Sequence, residues 1–127
     1  MRSKNQKVTA DHKKWRSQVA ELGCICCGSE AIQIHHCVGA RAKHNKIHIG
    51  EWFILPLNPF NHSYIDQGRF GLDMLKTEAG LRYSEDDKVK DMSLHEFEKY
   101  LFGKVLRMIP DRPFGDDVIT AISEWRR

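Results

Sequence analysis

The 127-residue sequence predicts an α+β fold. Two short stretches with strand character, Ile32–Cys37 and Trp52–Leu57, lie mid-chain. The segments on either side repeat their apolar residues at helical spacing. Four cysteines fall between positions 24 and 37, beside a pair of histidines. A chain this short buries only a modest core, so a bound metal would help to hold it together.

In chain order, Thr9 to Leu22 carries Trp15, Val19 and Leu22 at helical spacing and stops at Gly23, a basic amino-terminal helix over 9–22. Cys24-Ile25-Cys26-Cys27-Gly28 is a tight knuckle. Ile32 to Cys37 alternates as a strand. Val38 to Gly50, with two glycines, Arg41, Lys43 and Lys46, reads as a long basic loop. Trp52 to Leu57 is the second strand. Asn58-Pro59 is an N-cap followed by proline in the first helical turn. The short helix it starts carries His62 and Asp66 and ends near Gly68. Phe70 to Ala79 continues as a helix whose start Gly71 weakens. Ser93-Leu94-His95-Glu96 is a capping box for a helix with Leu94, Phe97, Leu101, Val105 and Met108 on its buried stripe. Pro113 to Trp125 supplies a last amphipathic helix.

The net charge is +3 and the pI about 8.7, mildly basic. Arg2, Lys4, Lys7, Lys13, Lys14 and Arg16 crowd the amino end. Acidic residues gather at Glu85-Asp86-Asp87, expected in a solvated polar turn. The apolar runs are far short of the roughly 18 residues of a membrane span, and no apolar signal segment is present, so the expectation is a soluble cytoplasmic protein. In a reducing compartment, crowded cysteines favour metal ligation over disulfides.

His35-His36, His62 and Asp66 are the residues that point to chemistry. His62 and Asp66 are four apart and share a face on a helix. At a strand end, one imidazole of the dyad can turn inward and the other outward. Imidazole and carboxylate suit Mg²⁺, Mn²⁺, Zn²⁺ or Ni²⁺. His12 and His95 read as surface residues, and Trp15, Trp52 and Trp125 as core. No glycine-rich phosphate loop and no serine nucleophile elbow is present.

From Cys24 to about Gly80 the chain resembles the HNH, or His-Me finger, endonucleases. Glu51-Trp52-Phe53-Ile54-Leu55-Pro56-Leu57 followed by His62 is similar to a phage subgroup, the Ref-type recombination-enhancement nucleases. The resemblance implies a ββα-metal, treble-clef-like core over about 24–80, within one domain over 1–127 that has flanking helices and a carboxyl-terminal helical extension over 81–127. It implies His36 as general base and His35, His62 and Asp66 as metal ligands. Arg41, Lys43, Lys46 and Arg69 become candidates for holding DNA phosphates. The family's middle asparagine has no obvious counterpart; Asn45, Asn58 and Asn61 are candidates for its orienting role. Asn58 and Asn61 also stand where many relatives place a second cysteine pair.

Cys24 and Cys27 have the spacing of half a zinc knuckle, which Cys37 with His44 or His48 would complete; alternatively the cysteines are free or packed. The function implied is Mg²⁺- or Mn²⁺-dependent hydrolysis of DNA by a phage or prophage protein, with a recombinase–DNA filament as a further partner. A second reading is a non-catalytic zinc module that binds nucleic acid or protein. A third is a toxin-like nuclease held by an immunity partner.

Overall fold

A computed structural model of the chain describes residues 8–30 and 32–126. Arg2, Lys4 and Lys7 lie outside them. The described chain is a mixed α+β structure of six helices and two small antiparallel sheets. Helix α1 spans Ala10–Ala20, and strand β1 Gln33–His36 follows the cysteine knuckle. Strands β2 Lys43–His44 and β3 Ile47–His48 come next, then β4 Ile54–Leu57. Helices α2 Pro59–Tyr64, α3 Gly68–Tyr83, α4 Asp86–Val89, α5 Leu94–Met108 and α6 Asp116–Glu124 complete the order.

β1 pairs antiparallel with β4, Gln33 opposite Leu57 and His36 opposite Ile54. All four residues of β4 are buried, because α1 and α5 both pack on it. Its continuous apolar run Ile54-Leu55-Pro56-Leu57 is what a strand covered on both faces requires. The basic segment after β1 contains structure that its composition hides. Asn45 and Lys46, at φ +50° and +67°, form a two-residue turn joining β2 to β3. Paired positive φ values match the twist of a hairpin, so the turn closes without glycine. α6 packs against both of these strands.

Three of the described helices, α1, α2 and α5, start at side-chain caps. Thr9 and His12 form a capping box on α1, and His12 sets its ring edge-on to Trp52 at 4.4 Å. His12 is thus half-buried at a helix cap, where the sequence suggested plain surface. Asn58 caps α2 by accepting from the Asn61 amide, with Pro59 behind it. Ser93 and Glu96 form the expected box on α5. Gly71 looks like a weak choice for a helix interior, yet a Cβ there would stand 1.9 Å from the Tyr64 carbonyl oxygen. Close packing of α3 on the end of α2 overrides helix propensity at that position.

The core joins Trp15 and Val19 of α1, Phe53 to Leu57, Leu75 and Ala79 of α3, and Phe97, Leu101 and Val105 of α5. Phe114 binds its edge together, stacking edge-on to Trp15 at 4.8 Å and tilted on Trp52 at 4.9 Å. The Trp15 indole N–H donates to the Trp52 carbonyl at 2.9 Å, so its burial leaves no orphan donor. At the last turn of α5 the stripe rotates outward, leaving Met108 42% exposed. No helix among the described residues is long and apolar enough to cross a membrane.

Glu85 is not a solvated turn residue. It receives Lys104 Nζ at 2.6 Å and the Tyr100 hydroxyl, and Lys104 also lies 4.6 Å from the Tyr83 ring centroid. The Lys104 and Tyr100 hydrogen bonds pull the Glu85 carboxyl from 4.5 down to about 2. A carboxyl lowered in the folded state stabilises it above the unfolded pKa and ceases to do so as pH falls through the folded one. Wild type should therefore melt above Glu85→Gln at neutral pH. The gap should close between pH 4.5 and about pH 2. A gap unchanged across thermal melts in that window would rule the interaction out as a stabilising one.

Candidate metal centre and cleft

β1 delivers its two histidines differently because it ends with them. His35 points inward, only 11% exposed, and its Nε2 stands 2.7 Å from Glu98 Oε2. Cys37 shares the His35 face two residues on, and its thiol is buried. One donor atom each of His35, Cys37 and Glu98 lie within 4.8 Å of one another. Among the described residues this is the group of three or more donors that can hold a metal ion. An imidazole nitrogen, a thiol sulfur and a carboxylate oxygen form a donor set that suits Zn²⁺ or another borderline transition ion better than Mg²⁺.

His36 lies on the other side of the strand end, with its side chain 32% exposed. Its Nε2 is 3.2 Å from Glu51 Oε1, and Arg16 donates to the same oxygen at 3.0 Å. His35, His36, Cys37, Asp66 and Glu98 all line an open cleft of about 1460 Å³. Its opposite wall comes from α5 and the end of α6, with Lys99 and Arg126. Lys99 donates to the Ser123 and Trp125 carbonyls, 2.7 Å each, at the carboxyl end of α6. Burial, and then the Arg126 charge, lower the Lys99 pKa. His95, expected at the surface, is half-buried beside them and contacts the Trp125 carbonyl at 3.1 Å through Nε2.

α2 brings His62 to this region. The His62 and His35 rings meet edge-on with centroids 5.3 Å apart. His62 Nδ1–H donates to Gln33 Oε1 at 2.6 Å, so Nε2 keeps its lone pair. Burial, then the neighbouring His35, lower the His62 pKa, against a smaller opposing effect of the Asp66 charge. Asp66 lies beyond the end of α2, exposed on the cleft rim. His62 and Asp66 thus flank the three-donor group without belonging to it.

The proposed zinc set of Cys24, Cys27, Cys37, His44 and His48 does not assemble. Cys37 faces His35 and Glu98 instead. His44 lies 3.6 Å from Glu124 of α6, on the same hairpin as His48. Cys24 and Cys27 stand against the start of α2, where Cys24 Sγ is 3.0 Å from Asn61 Oδ1 and Asn58 Nδ2 donates to Cys27 Sγ at 2.9 Å. Asn58 and Asn61 therefore serve the knuckle, and Asn45 a hairpin turn, rather than orienting His36. A hydrogen bond between Cys24 and Cys26 holds Cys24 low and Cys26 high in pKa. An ionised Cys24 cannot donate to Asn61 Oδ1. Turning that amide over presents Nδ2, which otherwise is buried with no partner among the described residues, to the sulfur.

Arg41, Lys43, Lys46 and Arg69 are all solvent-exposed, the first three on the segment after β1 and Arg69 at the start of α3. The residues the sequence reading missed are Glu51, Glu98 and the cleft cations Lys99 and Arg126. Glu98 did carry a signal: it lies four positions after Leu94, a charged residue on an apolar stripe.

Zn²⁺ should raise the melting temperature of wild type and of Cys24→Ser equally, and should have little effect on Glu98→Gln. Equal responses of wild type and Glu98→Gln would show that α5 supplies no ligand. No family profile, curated protein or solved structure matches the chain, so its chemistry is argued from this geometry.

Proposed function

We propose that the protein is a metal-dependent endonuclease of the HNH type that hydrolyses phosphodiester bonds in DNA. The observation that carries this reading is the meeting of His35 with His62 at 5.3 Å, beside a cleft that His36 also lines. An antiparallel strand pair followed by a short helix produces that meeting, in keeping with a ββα-metal core. The donors fit a divalent cation: His35, Cys37 and Glu98 would hold it, with His62 and Asp66 at its flank. When bound there, such an ion supplies charge neutralisation at the phosphate oxygens. Zn²⁺ or a similar transition ion is favoured by the Cys37 sulfur, and Mg²⁺ or Mn²⁺ by the carboxylates.

The side chains do the rest. His36, half-exposed at the cleft, takes the proton of the attacking water. Arg41, Lys43, Lys46 and Arg69 surround the strand and helix ends with positive charge and steer the duplex by its phosphates, a contribution that weakens with salt. The extension after α3 belongs to the centre, since α5 carries Glu98.

The test is cleavage of supercoiled plasmid and of single-stranded DNA with Zn²⁺, Mn²⁺ or Mg²⁺, with and without recombinase filaments on the DNA. Wild type should cut with at least one ion, and His36→Ala should lower kcat by about 10²–10⁴. Wild type that cuts neither substrate with any ion, filament present or absent, would return His35–Glu98 to a structural pair and favour the non-catalytic reading.

A further inference from the structure

Glu51 is unusual in how firmly it is fixed and in what it faces. It sits in the turn before β4, and its side chain is 13% exposed. The backbone is pinned on both sides. On one side, a Cβ at Gly50 would lie 2.3 Å from the Gly39 carbonyl oxygen, so glycine alone admits the close approach of those two segments. On the other, the Trp52 carbonyl accepts the Trp15 indole N–H. Within this frame Glu51 Oε1 receives Arg16 at 3.0 Å and meets His36 Nε2 at 3.2 Å. Glu51 lies apart from the donor group of His35, Cys37 and Glu98.

An ionised carboxylate only accepts hydrogen bonds, so the His36 nitrogen facing it must carry the proton. The other nitrogen, Nδ1, is then the one with a free lone pair. A neutral imidazole left alone populates both tautomers, and only one presents a basic atom in a given direction. We infer that Glu51 is a positioning residue for His36: by accepting from Nε2 it fixes the ring's orientation and the tautomer that leaves the free lone pair on Nδ1. Arg16 keeps the carboxylate aimed, tying α1 to the centre. The inference rests on the reading of His36 as the base, and it adds the group that prepares that base.

Long-range ¹H–¹⁵N spectra of the full chain, above the ordinary histidine titration range, read the tautomer directly. Wild type should show His36 as Nε2–H, Glu51→Ala a mixture, and Glu51→Gln mostly Nε2–H, because an amide oxygen still accepts. A wild-type ring protonated at Nδ1 would overturn the inference even if Glu51→Ala did not fold. So would a folded Glu51→Ala protein with an unchanged His36 tautomer. In cleavage assays Glu51→Ala should lower kcat about 10–100-fold with KM nearly unchanged, and Glu51→Gln should recover part of the loss. A raised KM at full kcat would also overturn it. An inactive wild type whose His36 tautomer still depends on Glu51 would remove the nuclease reading and leave the positioning of the ring standing.

Discussion

Adjacent side chains on a strand leave it in opposite directions, and in this protein each direction ends on a carboxylate. His35 goes inward to Glu98 and His36 outward to Glu51. Because β1 stops there, both rings still border one cleft. The two imidazoles therefore stand in different surroundings, one enclosed with a thiol, the other partly exposed and linked through Glu51 to Arg16. The remaining architecture holds that strand end in place. β4 fixes its register, α1 and α5 cover the pair, and α2 closes against His35 through His62.

Glu98 is where the stability of the fold and the chemistry of the site meet. A carboxylate 1% exposed is tolerated in a core only when it is well compensated. Removing one partner of such a pair typically costs about 3–5 kcal/mol. The His35–Glu98 contact is thus a structural liability unless something is gained from keeping polar groups there, and a cation held between them is such a gain. The knuckle resolves a similar problem with amides, as Asn58 and Asn61 hydrogen-bond to the sulfurs of Cys27 and Cys24.

Where local rules govern, the sequence was legible. Asn58-Pro59 and Ser93-x-x-Glu96 marked helix starts because capping is settled within four residues. The strand runs followed from apolar patterning, whereas the nearness of His62 to His35 was what the resemblance implied. The hairpin in the basic segment was hidden because its turn uses Asn45-Lys46 without glycine. The partners of the histidines were hidden for another reason. Alternation does put Cys37 on the His35 face, but the knuckle spacing of Cys24 and Cys27 suggested a different home for it. Glu98 and Glu51 reach the histidines only through the packing of α5 and of the Gly50 turn. Such placements depend on tertiary contacts that no short window of residues contains.

His35 finds Glu98 at a separation of 63 positions, whereas the strand pair and the capped helices form from near neighbours. Pairings so distant along a chain come at the end of assembly, after the entropy of closing a long loop has been met. While the protein is being synthesised, β1, β4 and α2 can come together before α5 has left the ribosome. The donor set in that interval is incomplete, so whatever reactivity the centre has is withheld until the chain has been made past α5.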